Sequence, residues 1–257
     1  MGDFFDRGQS AESDTKIPWI ETPMVRSTTL SKTVGCNVYL KLENLQPSGS
    51  FKSRGIGNFL SSRLAQLRSS GVSKRTHFYS SSGGNAGLGC VHAAVVLGCE
   101  ATVVVPMTTA EHMISKIREA GAANVIQKGA SWMEADSYLT TTVMAEANAR
   151  GENAVYVPPF DAPEIWDGNA GIVREIAKQL SLMSHHYPGP TFGKHDWPTA
   201  GMVDAIVCSV GGGGLFAGIM QGLDELEMHH TRVITAETLG ADSLFQAVKK
   251  DGPSAKR

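Results

Sequence analysis

The sequence is poor in the features that mark secreted, membrane-spanning and nucleic-acid-binding chains. Only four of its 257 residues are cysteine. Cys36, Cys90, Cys99 and Cys208 show no paired-ligand spacing and sit in apolar or glycine-rich surroundings, which argues against a disulfide framework and predicts reduced core thiols of an intracellular protein. Neither sign of charge is in excess: 23 Lys and Arg against 25 Asp and Glu leave a formal net charge of -2. With the basic residues scattered, nothing favours a nucleic-acid or anionic-membrane partner. No long uncharged apolar run exists, since the best stretch, Cys90 to Met107, is broken by Glu100 and Pro106. The opening "MGDFFDRGQSAESDTK" carries acidic residues where a signal peptide would be basic, so a cytoplasmic chain is expected. His185-His186 and His229-His230 have no cysteine or carboxylate cluster at ligand spacing, and are read as loop or helix-end polar residues.

What is present is the patterning of a globular α/β protein, 42% hydrophobic and 19% charged and long enough for one large domain or two modest ones. "CEATVVVP" is a β-branched run closed by proline, as a buried strand would be. Thr108 with Glu111, and Ser131 with Glu134, read as capping boxes, the second ahead of a helix running toward Gly151. "NVIQKG" and "AVYVPPF" are further strands, and "APEIWDGNAGIVREIAKQLSLM" is a long helix with Pro163 in its first turn. Ser184 to Gly201, rich in Pro and Gly, reads as a surface insertion. "VDAIVCSV", a glycine run, "LFAGIMQGLDELEM", "RVITAE" and "GADSLFQAVKK" then give strand, loop, helix, strand, helix. Strands alternate with helices, which predicts parallel sheets covered by helices on both faces.

Three sites stand out, and each needs the others. In "CSVGGGGLFAG", Cys208 to Gly218, four glycines lie between an apolar strand and an amphipathic helix. Without side chains in the way, successive N–H groups can turn inward beside the positive helix terminus, which makes a phosphate cradle rather than a linker. No Lys-Ser/Thr follows, against a nucleoside-triphosphate loop. Gly212-x-Gly214-x-x-Ala217 also matches a dinucleotide fingerprint, with Glu237 ending the next strand as the ribose-binding acid, though too few residues follow for the rest of that fold. The second site, "SSSGGNAGLG" from Ser80 to Gly89, offers small hydroxyls and an amide at a strand-to-helix junction, suited to gripping a carboxylate. There Asn85 can also hydrogen-bond a substituent of a flat cofactor ring. The third is "LQPSGSFKSRGIG", Leu45 to Gly57, where Ser50 is expected to cap a helix and Lys52 to lie in its first turn. Burial there would lower the ammonium pKa and expose a nucleophilic amine. Amine, phosphate cradle and carboxylate grip are together the needs of pyridoxal-phosphate chemistry on an amino acid.

The chain resembles the fold-type II pyridoxal-phosphate enzymes, which are tryptophan synthase β-like in fold, and among them the catabolic L-serine/L-threonine dehydratases (L-serine ammonia-lyases). The likeness rests on "ETPMVRSTTLSK", "VYLKLENLQPSGSFKSRGIG", "SSGGNAGLG", "YVPPFDAPEIWDGNAGIVREI", "IVCSVGGGGLFAGIMQGL" and "AETLGADSL", in family order from about Ile20 to Val248. It implies that Lys52 is the Schiff-base lysine, that Phe51 packs beside the cofactor ring and that Asn85 bonds its phenolic oxygen. Gly211, Gly212, Gly213, Gly214 and Leu215 would wrap the phosphate. Ser82, Gly83, Asn85 and Ala86 would line the substrate-carboxylate site, and Glu237 with Ala241 and Ser243 would match a monovalent-cation (K+) site.

The resemblance further implies two αβα domains, a small one over 43–156 inserted into a large one made of 1–42 and 157–257, with the active site in the cleft. The implied activity is β-elimination of L-serine or L-threonine to pyruvate or 2-oxobutanoate and ammonia, in amino-acid catabolism and gluconeogenesis, by a homodimer. Relatives continue past the segment matching "GADSLFQAVKKDG", so the large domain is expected to be C-terminally incomplete, with no residue assignable to the cofactor's pyridine nitrogen. A relative that binds amino acid or partner without turnover, and a dinucleotide-dependent oxidoreductase, are the alternatives carried forward.

Overall fold

The structure, a computed structural model, describes residues 16–71, 74–186 and 203–251. Most of the Ser184 to Gly201 insertion lies outside the described residues. Among them no helix is long and apolar enough to cross a membrane.

A four-stranded parallel sheet has the order β5-β4-β3-β6, formed by β3 (Thr76–Ser80), β4 (Glu100–Val105), β5 (Asn124–Gln127) and β6 (Asn153–Tyr156). β4 is paired on both edges and buried on both faces, which is why its valines run without polar alternation: Val103, Val104 and Val105 are all fully buried. On one face the core packs α2 (Lys52–Ser69), α3 (Asn85–Val96) and α4 (Glu111–Glu119) around Ile56, Leu60, Phe78, Val91 and Ile114. On the other, α5 (Trp132–Tyr138), the π-turn after it and α6 (Met144–Ala149) cover Tyr79 and Val104 through Ala135, Leu139 and Ala147. Parallel pairing sends the turns after β3, β4, β5 and β6 to one edge of the sheet, the carboxyl-end edge where open α/β sheets place ligands.

A second parallel pair joins β7 (Ala205–Ser209) to β8 (Arg232–Ala236). It packs one face on α7 (Pro163–His186) and α8 (Gly214–Glu225) through Val173, Cys208, Ile219 and Leu223. Its other face carries Val207 and Ile234, which pair in register and are 69% and 53% exposed, so the expectation of two covered faces fails here among the described residues. α9 (Ser243–Asp251) follows β8. β1 (Met24–Arg26) and β2 (Tyr39–Lys41) form an antiparallel pair spanning α1 (Thr28–Val34), an arrangement that the alternating pattern does not anticipate.

Local expectations fare unevenly. Ser131 caps α5 by accepting from Glu134 N at 3.3 Å. The Thr108 box does not form: a turn from Thr109 N to Pro106 O delays α4, whose cap is Ala110 without a side-chain bond. The helix toward Gly151 is broken by a π-turn over Leu139–Val143, which separates α5 from α6. All four cysteines are free, but Cys36 is exposed and Cys99 half-buried, so only Cys90 and Cys208 are core thiols. His229 and His230 are exposed, and no group of three metal-ligating side chains gathers among the described residues.

Candidate active site

Lys52 is the first residue of α2, and what holds that turn in place is a buried ion network rather than a hydroxyl cap. The expected Ser50 cap is absent. Ser53 N and Arg54 N close the turn on the carbonyls of Ser50 and Phe51, and the buried Ser50 hydroxyl has no partner among the described residues. Two residues on, the fully buried Arg54 reaches Glu43 at 2.8 Å and Glu175 of α7 at 2.6 Å, and Glu175 also meets Lys41 at 2.5 Å. Burial opposes ionisation of Glu43, but hydrogen bonds from Arg54, Thr22 and Gln46 outweigh it and hold the carboxyl below its usual range. The Arg54 guanidinium feels the same contest: burial works against its charge, and the two carboxylates win and raise its pKa.

The Lys52 side chain enters a cavity of about 220 Å³ lined by Phe51, Lys52, Phe160, Ser209, Gly211, Gly212, Gly213, Gly214 and Leu215. Its Nζ donates to the carbonyl of Pro159 and lies 5.4 Å and 6.0 Å from the ring centroids of Phe51 and Phe160. No carboxylate pairs with it among the described residues, so burial alone pushes the ammonium down to about 8.

The far wall of the cavity is the glycine run. Gly213 has φ +84°, a left-handed conformation that costs a side chain dearly, and it precedes the first turn of α8. The N–H groups of Gly214, Leu215 and Phe216 are beyond reach of any helical carbonyl, and with those of Gly211, Gly212 and Gly213 they have no partner among the described residues. Phe160 lies against this run: a Cβ at Gly212 would overlap its ring, and one at Gly214 would come within 2.5 Å of its carbonyl oxygen. From beneath, the buried Asn169 of α7 donates to Gly214 O at 3.0 Å.

The structure therefore brings Phe51, Lys52, Gly211 to Gly214 and Leu215 into one pocket. Ser82, Gly83, Asn85 and Ala86 are not in that lining; they form the turn from β3 into α3, where Ser82 and Gly83 are half-buried, Ala86 is buried and Asn85 is exposed. One helical turn beyond Asn85, a Cβ at Gly89 would sit 3.3 Å from Lys52 Cβ, so α3 leads the loop alongside the lysine. Glu237 caps α9, its two oxygens accepting from Leu244 N at 2.9 Å and Phe245 N at 2.8 Å, while Ala241 N bonds Thr238 O and Ser243 Oγ donates to Gly211 O. A carboxylate engaged with helix N–H groups is not presented to a ribose, which removes the support for the dinucleotide alternative. Phe160, Ser209 and Asn169 were not singled out from the sequence. An aromatic after two prolines at a strand's carboxyl end was the available signal for Phe160.

A family model described as "Pyridoxal-phosphate dependent enzyme" matches residues 17–256. An L-serine dehydratase of Saccharomyces cerevisiae is 42% identical over 234 residues, covering 91% of this chain and 65% of its own length. An L-serine dehydratase/L-threonine deaminase of Bos taurus is 40% identical over 230 residues, covering 90% and 61%. The crystal structure of an L-serine ammonia-lyase from Rhizomucor miehei superposes with a TM-score of 0.72 at 34% identity, covering 91% of this chain and 64% of that one. The chain thus spans 65% or less of the length of each of these relatives.

Proposed function

Since the chain belongs to the pyridoxal-phosphate-dependent enzyme family, we propose that it deaminates L-serine, and L-threonine, by β-elimination to pyruvate or 2-oxobutanoate and ammonia. The observation that carries this reading is the single cavity shared by the amine of Lys52 and the unpartnered N–H groups of the glycine run. The residues present fit pyridoxal phosphate: bare amides at a helix N-terminus for its phosphate, a buried amine for its aldehyde, and the rings of Phe51 and Phe160 beside that amine. When bound, that group supplies a conjugated ring able to delocalise charge from the substrate α-carbon.

The chain's own residues supply the rest. Gly211 to Gly214 and Leu215 hold the phosphate through N–H groups, with Asn169 fixing the loop from behind. Phe51 and Phe160 exclude water from Lys52 Nζ, which keeps a substantial neutral fraction near pH 8 and removes the substrate α-proton. Ser82, Gly83, Asn85 and Ala86 bind the substrate carboxylate at the start of α3. Asn85 would also bond the cofactor's phenolic oxygen, and Glu237 with Ala241 would serve a K+ site only if its oxygens accept a cation as well as the N–H groups of α9. The proposal includes a homodimeric, cytoplasmic protein acting in serine catabolism toward gluconeogenesis; light scattering reads the oligomeric state.

The test of function is pyruvate release from L-serine by the chain loaded with pyridoxal phosphate, beside Lys52→Ala. Release by the wild type and none by the variant is the expected result. A wild type that binds the cofactor and serine but releases no pyruvate would overturn deamination in favour of binding without turnover.

A further inference from the structure

Asp136 lies outside every residue assigned above, on α5, across the sheet from Lys52's helix. Its Oδ1 accepts two hydrogen bonds, from Ser81 Oγ at 2.6 Å and from Tyr156 OH at 2.7 Å. Ser81 is 1% exposed and is the residue immediately after β3, and Tyr156 is the last residue of β6. One carboxylate oxygen therefore ties together the carboxyl ends of two neighbouring strands at the point where the Ser82 to Asn85 turn departs. We propose that Asp136 is a positioning residue for substrate-carboxylate binding, holding Ser81 so that the turn it begins presents its donors at a set place.

Three observations support this. The turn has little slack of its own: Ser82 Oγ accepts from Gly84 N at 3.3 Å, a Cβ at Gly87 would overlap the Ser82 carbonyl, and one at Gly83 would meet Thr109 at 2.8 Å. A displacement of Ser81 is therefore passed on to the N-terminus of α3 rather than absorbed. Second, Ser81 is buried, so its hydroxyl loses its carboxylate acceptor if Asp136 is removed. Third, the Tyr156 phenol is pushed up to about 12, by burial first and then by Asp136, so it stays a proton donor to that oxygen throughout the neutral range. The neighbouring cluster residues Ala135 and Leu139 are buried against Tyr79 and Val104, which fixes the helix that carries Asp136.

This inference rests on the proposed carboxylate-binding role of the Ser82 turn, and its test separates the two. The full chain loaded with pyridoxal phosphate is titrated with L-alanine and with L-alaninamide, neither of which has a β leaving group, and binding is read from the cofactor's visible absorption. The wild type should prefer the carboxylate ligand. Asp136→Ala and Ser81→Ala should each reduce that preference about tenfold, the scale set by an unmade buried hydrogen bond. Asp136→Asn, which keeps an acceptor oxygen, should retain most of it. A merely structural role would weaken both ligands equally and leave their ratio unchanged. Preference surviving intact in Asp136→Ala and Ser81→Ala overturns this inference alone, whereas a wild type without preference overturns the carboxylate assignment and this inference with it. In the cofactor-free chain, amide hydrogen exchange provides a second reading. Both alanine variants should speed exchange at residues 82–86 and not at 211–215, and equal change in the two segments would count against Asp136.

Discussion

Lys52 is expected to titrate far below an ordinary lysine, and the cause can be isolated. Its ammonium has no ion-pair partner among the described residues, one carbonyl acceptor from Pro159, and aromatic rings at 5.4 Å and 6.0 Å that would if anything favour the cation. Burial nevertheless wins and brings the pKa from 10.5 to about 8. At pH 7.5 roughly a quarter of such amines are neutral, against roughly one in a thousand at the ordinary value, a gain of more than a hundredfold in nucleophile. Reductive methylation with 13C-formaldehyde followed by NMR titration reads the midpoint directly without cofactor, with Lys52→Arg identifying the resonance. If exclusion of water is the cause, Phe160→Ala, which opens one wall of the cavity, should raise the midpoint by about one unit or more. A wild-type midpoint near 10.5, or one that Phe160→Ala leaves unmoved, would refute the reasoning.

Among the described residues, removing Arg54 leaves Glu43 without a cation and Glu175 with Lys41 only, so Arg54→Ala should lower the unfolding free energy at pH 7 by about 3–5 kcal/mol in urea titration. A loss under about 1 kcal/mol, the scale of a surface pair, would contradict the network's role. Because Glu43 is held below its ordinary 4.5, its stabilisation is complete above that pH and is lost as pH falls through the lower folded value. The same variant should therefore show a flatter acid limb in a stability profile. Gly212→Ala drives a methyl into the Phe160 ring, and overpacking of this kind costs about 1–3 kcal/mol. Absorbance titration should show pyridoxal phosphate bound at least about tenfold more weakly, and an unchanged affinity would mean the glycine run is not the phosphate cradle.

Much of the site was legible in sequence because each part is a local chemical necessity. A tetraglycine run between a strand and a helix exposes amides wherever the fold puts it, and Gly213 at φ +84° is the conformation such a run permits. A lysine between Phe51 and Ser53 in an expected first helical turn was readable as a candidate amine, nucleophilic if buried. Capping was less legible, since Ser131 and Thr108 carry the same signature and only Ser131 makes the bond; the turn at Pro106 decides the other. The β1–β2 pair was missed because two three-residue strands leave too short a pattern. The antiparallel partner of β1 is set by pairing across α1 and not by either strand's own residues.

Residue chemistry and order along the chain were enough to determine the α/β class, most of the strand-to-helix order and which segments carry the candidate amine and the glycine run. Those properties depend on neighbours within a few residues, and local propensity carries them. Only the tertiary structure could decide that Lys52 and Gly211 to Gly214, separated by more than half the chain, share one cavity, and that Phe160 stands beside both. Nor could sequence reveal that Arg54 is clamped by Glu43 and Glu175, or that Asp136 reaches Ser81 and Tyr156. Such contacts follow from how parallel strands bring their carboxyl ends to one edge, and from burial that appears only once separate segments pack together.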